Sequence, residues 1–150
     1  MDEPGLTLEA VYDDADLVEV RVAVWNGTFG GQASVYAGVD EIGGLADTLA
    51  GFPRTVQDHR QVEWGDLSRG SGLGGVAMQF TCVDAVGHAG VWVELKSADT
   101  DPGMPLQTVR LFLPVEAPAI DRFVEEMRVV GQHKQGTAHL AGVRGGRTRG

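Results

Sequence analysis

The stretch Val76–Leu95, VAMQFTCVDAVGHAGVWVEL, decides the fold class of this chain. Apolar residues occupy every second position on both sides of a break at residues 84–90, and a period of two is typical of a strand with one buried face. The apolar positions are Val76, Met78, Phe80 and Cys82 before the break and Val91, Val93 and Leu95 after it. The break contains Gly87 and Gly90, so the two runs predict an antiparallel hairpin whose loop is longer than a tight turn. We place this hairpin in the middle of a sheet.

The same alternation predicts further strands, which brings the total to about seven. They cover residues 6–12, 18–24, 28–37, 61–67 and 108–113. Asn26–Gly27 lies between the second and third runs and is the dipeptide that suits a type I′ turn. Pro114 follows the last run, where it would end the ladder of hydrogen bonds.

Helical spacing of apolar residues replaces the alternation in two places. Residues 39–52 form the first predicted helix, with Asp40 as its N-cap and Gly51 and Pro53 where it should stop. Pro118 opens the second predicted helix, an amphipathic one that runs to residue 130. Strands that outnumber helices and short connections predict an α+β fold. It would be a mainly antiparallel sheet, curled or doubled into a sandwich, with two amphipathic helices over one face or end.

One domain is the default for a chain of 150 residues, and we place it at residues 1–131. Residues 132–150 show no apolar period and are rich in glycine and arginine, so they are predicted to form a flexible, disordered tail. No run of about 18 apolar residues occurs, and the acidic N-terminus lacks the apolar core of a signal peptide. A cytoplasmic protein with no membrane partner is therefore expected.

The charge of the chain is acidic and unevenly distributed. Its formal net charge is −9, which argues against nucleic-acid binding through phosphate contacts. Residues 1–20 carry seven acids and no base, whereas residues 131–150 carry four bases and no acid. An acidic head can attract a basic partner, although the same charges also serve solubility at a solvated edge.

No motif in the chain predicts catalysis, a cofactor or a metal. Residues 70–75, GSGLGG, have the spacing of a dinucleotide-binding loop, but a predicted strand follows them where that mechanism needs a helix. The D-x-D pairs offer too few ligands for calcium, and the histidines lack the spacing of a zinc site. Cys82, Asp84 and His88 are close in sequence, but Cys82 is predicted to be a small core residue. We therefore expect a protein that is not an enzyme and binds no cofactor.

The polar face of the predicted sheet carries the main functional signal. Trp92 is out of phase with the apolar residues of its strand, so its ring should point away from the core. Aromatic residues and arginine are enriched at the energetic centres of protein interfaces. The residues predicted to bind a partner are Arg21, Tyr36, Gln79, Trp92, Glu94 and Arg110. The alternatives are that a helix or the acidic N-terminal segment covers this face, or that its charges form ordinary cross-strand pairs.

The order of elements between residues 17 and 130 resembles that of WapI-type immunity proteins and related uncharacterised actinobacterial domains. The stretches that carry the resemblance are Leu45–Leu49, Gly51–Phe52–Pro53, Gly87–His88 and Ala119–Ile120–Asp121–Arg122–Phe123. No catalytic motif is among them. The resemblance implies a small, acidic, cytoplasmic protein that binds and neutralises a toxin domain without turning over a substrate.

These observations leave three functions open. The first is a non-enzymatic, immunity-like protein that occludes its partner, a basic toxin domain, after electrostatically steered association. The second is a structural domain that uses the same sheet face to form a homo-oligomer. The third is a small-ligand binder or an enzyme, which would need a concave site where His59 or His88 meets a carboxylate.

Overall fold

The computed structural model describes residues 3–98 and 104–144. These residues form eight strands and two helices. The strands are β1 (Gly5–Asp13), β2 (Leu17–Trp25), β3 (Gly30–Gly38), β4 (His59–Gly65), β5 (Gly75–Cys82), β6 (His88–Lys96), β7 (Thr108–Glu116) and β8 (Gly136–Ala141). The helices are α1 (Glu41–Leu49), between β3 and β4, and α2 (Ala117–His133), between β7 and β8.

The strands make two antiparallel sheets of four strands each, which confirms the predicted α+β class. The first sheet has the order β3-β2-β1-β8, and the second has the order β4-β5-β6-β7. The predicted central hairpin is β5 with β6, and it occupies the middle of the second sheet. Its alternating apolar side chains are buried as far as Phe80, because the inner face of the sheet packs on the core.

The inner faces of both sheets and the apolar stripes of both helices share one hydrophobic core. Four valines of β2 alternate into this core, and the buried residues of α2 recur at helical spacing. The α2 residues are Ile120, Phe123, Val124, Met127 and Val130. Pro118 lies in the first turn of α2, as predicted. None of the helices in the described part of the chain is both long and apolar enough to span a membrane.

The prediction of a disordered tail is wrong for Gly136–Ala141, which forms β8. This strand pairs with β1 along its whole length, and Ala138 and Leu140 enter the core. Lys134 (φ 57°) and Gly136 (φ 102°) end α2 and turn the chain back toward the sheet. The sequence shows little alternation here, because the strand is short and contributes just these two apolar side chains to the core. Residues 145–150 lie outside the described residues.

Three local predictions also need correction. The β2–β3 connection is a four-residue loop rather than a two-residue type I′ turn, because the Asn26 side chain accepts the N–H groups of Thr28 and Phe29. Asp40 makes no side-chain cap on α1; Glu41 instead reaches back to the N–H of Gly38, at 3.0 Å. Cys82 is half-buried at the margin of the core, and its Sγ lies 3.6 Å from the carbonyl oxygen of Thr55.

Strand β3 crosses one end of the second sheet and joins the two layers. It contacts all four strands of that sheet. The crossing brings the backbones close together: a Cβ on Gly74, just before β5, would lie 2.2 Å from the carbonyl oxygen of Ser34 in β3. Glycine is therefore required at this position, because the two backbone segments approach each other too closely for a side chain. On the outer face of the second sheet, Gln61, Glu63, Gln79, Trp92 and Arg110 are exposed.

Candidate functional site

The outer face of the second sheet gathers the exposed side chains into rows across the strands. The antiparallel register aligns one row of Gln61, Gln79, Trp92 and Phe112. It aligns a neighbouring row of Glu63, Ala77, Glu94 and Arg110. We call this surface the aromatic face; its polar and aromatic members are Gln61, Glu63, Gln79, Trp92, Glu94, Arg110 and Phe112.

Trp92 is the centre of the aromatic face. Its ring meets that of Phe112 edge-to-face, with centroids 5.1 Å apart and an interplanar angle of 62°. The guanidinium carbon of Arg110 lies 4.1 Å from the centroid of the Trp92 ring, which is a cation–π contact. Trp92 nevertheless keeps 37% of its surface exposed, so the cluster is ordered and still accessible.

The Phe112 ring packs directly on the backbone of Gly90. A Cβ at position 90 would come within 2.0 Å of the ring, so no larger residue fits beneath it without displacing Phe112. Gly90 lies on β6 opposite Pro114, two residues along the strand from Trp92. The absence of a side chain at position 90 therefore allows the Phe112 ring to pack against β6 beside Trp92.

The charges of the aromatic face are not neutralised by ion pairs. Glu94 and Arg110 face each other in the β6–β7 register, yet neither takes part in a salt bridge among the described residues. Arg110 covers the indole ring instead. Glu63 accepts a hydrogen bond from the side-chain amide of Gln61 at 3.4 Å. The two carboxylates and the guanidinium thus remain available to groups outside the chain.

The loop at residues 66–74 forms one wall of the aromatic face. Lys96, in the row next to that of Glu94, is fully buried beneath this loop although its side chain points to the outer side of the sheet. Its Nζ donates to the carbonyl oxygens of Asp66 (2.9 Å), Ser68 (2.6 Å) and Ser71 (2.9 Å). All three N–H bonds of the ammonium are used, which offsets the cost of burying its charge.

The glycine-rich motif of residues 70–75 belongs to this wall. The strand β5 follows it directly, so no helix N-terminus stands behind the loop to receive a phosphate. Hydrogen bonds from Ser68 are the main cause that holds the pKa of Asp66 below its ordinary value; the charge of Lys96 adds a smaller effect. The motif therefore has a structural explanation, since it belongs to the loop that covers Lys96 and supplies one of the three carbonyl oxygens, that of Ser71, which hold the ammonium group.

The predicted partner-binding residues divide between the two sheets. Gln79, Trp92, Glu94 and Arg110 lie together on the aromatic face, as predicted. Arg21 and Tyr36 instead lie on the outer face of the first sheet, where Arg21 contacts Glu9 at 3.5 Å. The assumption of one continuous sheet face was therefore wrong. The sequence signal for this division is helix α1, which interrupts the strand pattern between β3, in the first sheet, and β4, in the second.

The Asp84–His88 pair forms part of the β5–β6 turn. Nδ1 of His88 lies 2.5 Å from a carboxylate oxygen of Asp84, and this contact raises the pKa of His88. The other carboxylate oxygen of Asp84 accepts the backbone N–H groups of Val86 and His88. Both side chains are largely exposed, and the contacts of Asp84 close the turn. His59 lies at the same end of the sheet, at the start of β4, and strand β5 separates it from His88.

Within residues 3–98 and 104–144, no group of three histidine, cysteine or acidic side chains is arranged to hold a metal ion. Comparison of the chain with protein-family models, curated proteins and solved structures finds no match.

Proposed function

We propose that this chain is a non-enzymatic protein-binding domain and that the aromatic face is its binding surface. The observation that carries the proposal is the cluster of exposed Trp92 and Arg110 with half-buried Phe112 on the outer face of the second sheet. Tryptophan and arginine dominate the residues whose loss costs most binding energy at protein interfaces. A row of glutamine and glutamate side chains around the cluster supplies the polar rim that such interfaces have.

The face is suited to binding because its key side chains are already held in place. Arg110 stacks on Trp92, and Phe112 is seated on Gly90. Association loses conformational entropy for every side chain that it immobilises, about 0.5–1.5 kcal/mol for a flexible one. A cluster ordered before binding avoids part of that cost. Lys96 has the same effect on the adjoining loop, which it holds against the sheet.

We propose occlusion as the mechanism and a basic protein surface as the target. The chain carries a net charge of −9, and Glu63 and Glu94 present uncompensated carboxylates within the face. A basic partner would be steered toward the chain by its field and would then bury Trp92 against its own surface. An immunity protein that covers a toxin domain would act in this way.

The proposal is tested by capturing partners with the immobilised chain from a lysate of the organism that encodes it. The wild-type chain is compared with Trp92→Ala and with Tyr36→Ala, which removes an exposed aromatic ring from the first sheet. We expect a specific protein to be retained by the wild type and by Tyr36→Ala and lost with Trp92→Ala. Equal retention by all three chains would contradict the assignment of the aromatic face.

A further inference from the structure

The register of the second sheet determines which backbone groups of β4 point away from it. In an antiparallel pair, alternate residues turn their N–H and C=O groups toward the partner strand. The carbonyl oxygen of Phe112 accepts a bond from the side chain of Asn26, so it points away from β6. The backbone N–H and C=O groups of Trp92, opposite Phe112, must then point toward β5. Those of Gln79, opposite Trp92, therefore point toward β6. Gln61, opposite Gln79, therefore directs its backbone groups to the free side of β4, and so does Glu63.

The other three strand edges carry specific blocking contacts. On β7, the carbonyl oxygens of Phe112 and Pro114 accept bonds from Asn26 and Val143, and Pro114 has no N–H group. On β8, a carboxylate oxygen of Glu126 accepts the N–H of His139 at 2.8 Å. Proline residues and covering segments are among the means by which proteins prevent their edge strands from pairing with another chain.

The edge of β3 is blocked in two ways. Glu41 accepts the N–H of Gly38 at its end, and the middle of the strand crosses the second sheet. The edge of β4 differs from all of these. Among the described residues, no hydrogen-bond partner meets the backbone of Gln61 or Glu63, and both residues are exposed. An open edge of this kind is a template for a further strand.

We propose that the edge of β4 pairs with the β4 edge of a second copy of this chain, antiparallel about a two-fold axis at Val62. The residue Val62 is the centre of the strand, so this register uses its full length. It brings Gln61 of each copy opposite Glu63 of the other, and an amide group then faces a carboxylate. A register centred on Glu63 would bring two carboxylates together, which cross-strand pairing disfavours. The surface is thus self-complementary, as a two-fold interface must be.

The pairing would join two four-stranded sheets into one continuous sheet and place the two aromatic faces side by side. The cluster of Trp92, Arg110 and Phe112 stays exposed, because it lies on β6 and β7, whereas the contact is made at the edge of β4. The inference is therefore independent of the proposed partner binding. A strand edge buries less area than the roughly 1,200 Å² of a stable interface, so the dimer should be weak and depend on concentration.

The test is the mass of the protein in solution, measured by light scattering over an about hundred-fold range of concentration. The wild-type mass should rise from 15.9 kDa toward twice that value. Gln61→Pro removes an outward N–H group that the ladder does not use, and it should remain a monomer. Thr108→Pro is the matched control, because it makes the same change at an outward position of β7; it should dimerise like the wild type. Circular dichroism checks that both variants are folded.

A second pair of variants tests the register without changing the backbone. Gln61→Glu brings two carboxylates together and should weaken dimerisation at low salt, whereas Gln61→Lys faces Glu63 with an ammonium group and should strengthen it. Trp92→Ala should leave the mass unchanged, which separates this inference from the partner-binding proposal. A wild type that stays monomeric throughout, or Gln61 variants that all dimerise equally, would overturn the proposal.

Discussion

The guanidinium of Arg110 lies over the indole ring of Trp92, 4.1 Å from its centroid, on the solvent side of the second sheet. Arg110 belongs to β7 and Trp92 to β6, so the contact ties an edge strand to a central one. It also leaves Glu94, the residue opposite Arg110, without a cationic partner among the described residues. One cation–π contact thus orders the tryptophan and leaves a carboxylate free on the face.

The coupling between these two side chains can be measured by a double-mutant cycle. We expect Arg110→Ala and Trp92→Ala to be non-additive in the free energy of unfolding by about 0.5–1 kcal/mol, the range for an exposed cation–π pair. Urea unfolding of the wild type, both single variants and the double variant supplies the values. Arg21→Ala combined with Trp92→Ala is the control, since Arg21 lies on the other sheet. Additive effects in the first cycle would show that the contact contributes nothing to stability.

Replacing Lys96 by methionine should destabilise the fold by about 2 kcal/mol or more, because a buried carbonyl left without a donor costs about 1–3 kcal/mol. The carbonyl groups of Asp66, Ser68 and Ser71 all depend on this ammonium. Hydrogen exchange should show faster opening of the loop at residues 66–74. Arg69→Met, in the same loop, is the matched control and should change stability by less than about 0.5 kcal/mol. Similar losses for both variants would disprove the role of Lys96.

Gly90→Ala should destabilise the fold by about 1–3 kcal/mol, because the new Cβ would overlap the Phe112 ring. The displaced ring should also change the near-ultraviolet circular dichroism of Trp92. In a Phe112→Ala background, Gly90→Ala should have little further effect, since the obstacle is gone. An equal penalty in both backgrounds would mean that the glycine is needed for another reason.

The ion pair of Asp58 and Arg60 predicts an acid dependence of stability. The hydrogen bond from Arg60, with help from the backbone N–H of Arg54, lowers the pKa of Asp58 from 3.8 to about 2. Arg60 also donates to the carbonyl oxygens of Thr48 and Ala50 at the end of α1. A depressed pKa in the folded state means that the stabilisation is present above pH 3.8 and is lost as the pH falls toward about 2.

Asp58→Asn removes this titration and is the variant that tests it. We expect the free energy of unfolding of the wild type to fall more steeply than that of Asp58→Asn between pH 3.8 and about 2. Asp47→Asn is a control, since the ion pair of Asp47 with Arg128 is exposed. Parallel curves for the wild type and Asp58→Asn would contradict the prediction.

The strand pattern was readable from the sequence because each sheet has one face in the core, so apolar residues alternate cleanly along β2, β5 and β6. Strand β8 escaped because just two small or medium apolar residues, Ala138 and Leu140, mark its buried face. Alternation also says nothing about which strands share a sheet. The alternation therefore predicts Arg21 and Tyr36 on the same face as Trp92, although they lie in the other layer.

Lys96 shows a second limit of sequence patterns. Its position on the outer side of β6 follows from the alternation, but its burial depends on a loop that begins thirty residues earlier in the chain. A lysine is buried when all its donors find acceptors, and here those acceptors are backbone carbonyls that no side-chain motif reveals. For Cys82 the alternation predicts burial in the core, but the core ends one alternation earlier, at Phe80, and Cys82 is half-buried.

The affinity of the captured partner for the purified chain tests the central claim most directly. Titration calorimetry with the wild type, Trp92→Ala and the control Tyr36→Ala would supply it. If the aromatic face is the binding surface, Trp92→Ala should cost about 2 kcal/mol or more in binding free energy, as expected for a residue at the centre of an interface. Tyr36→Ala should then bind like the wild type. Full affinity of Trp92→Ala, or a loss seen only with Tyr36→Ala, would contradict the account and direct attention to the first sheet.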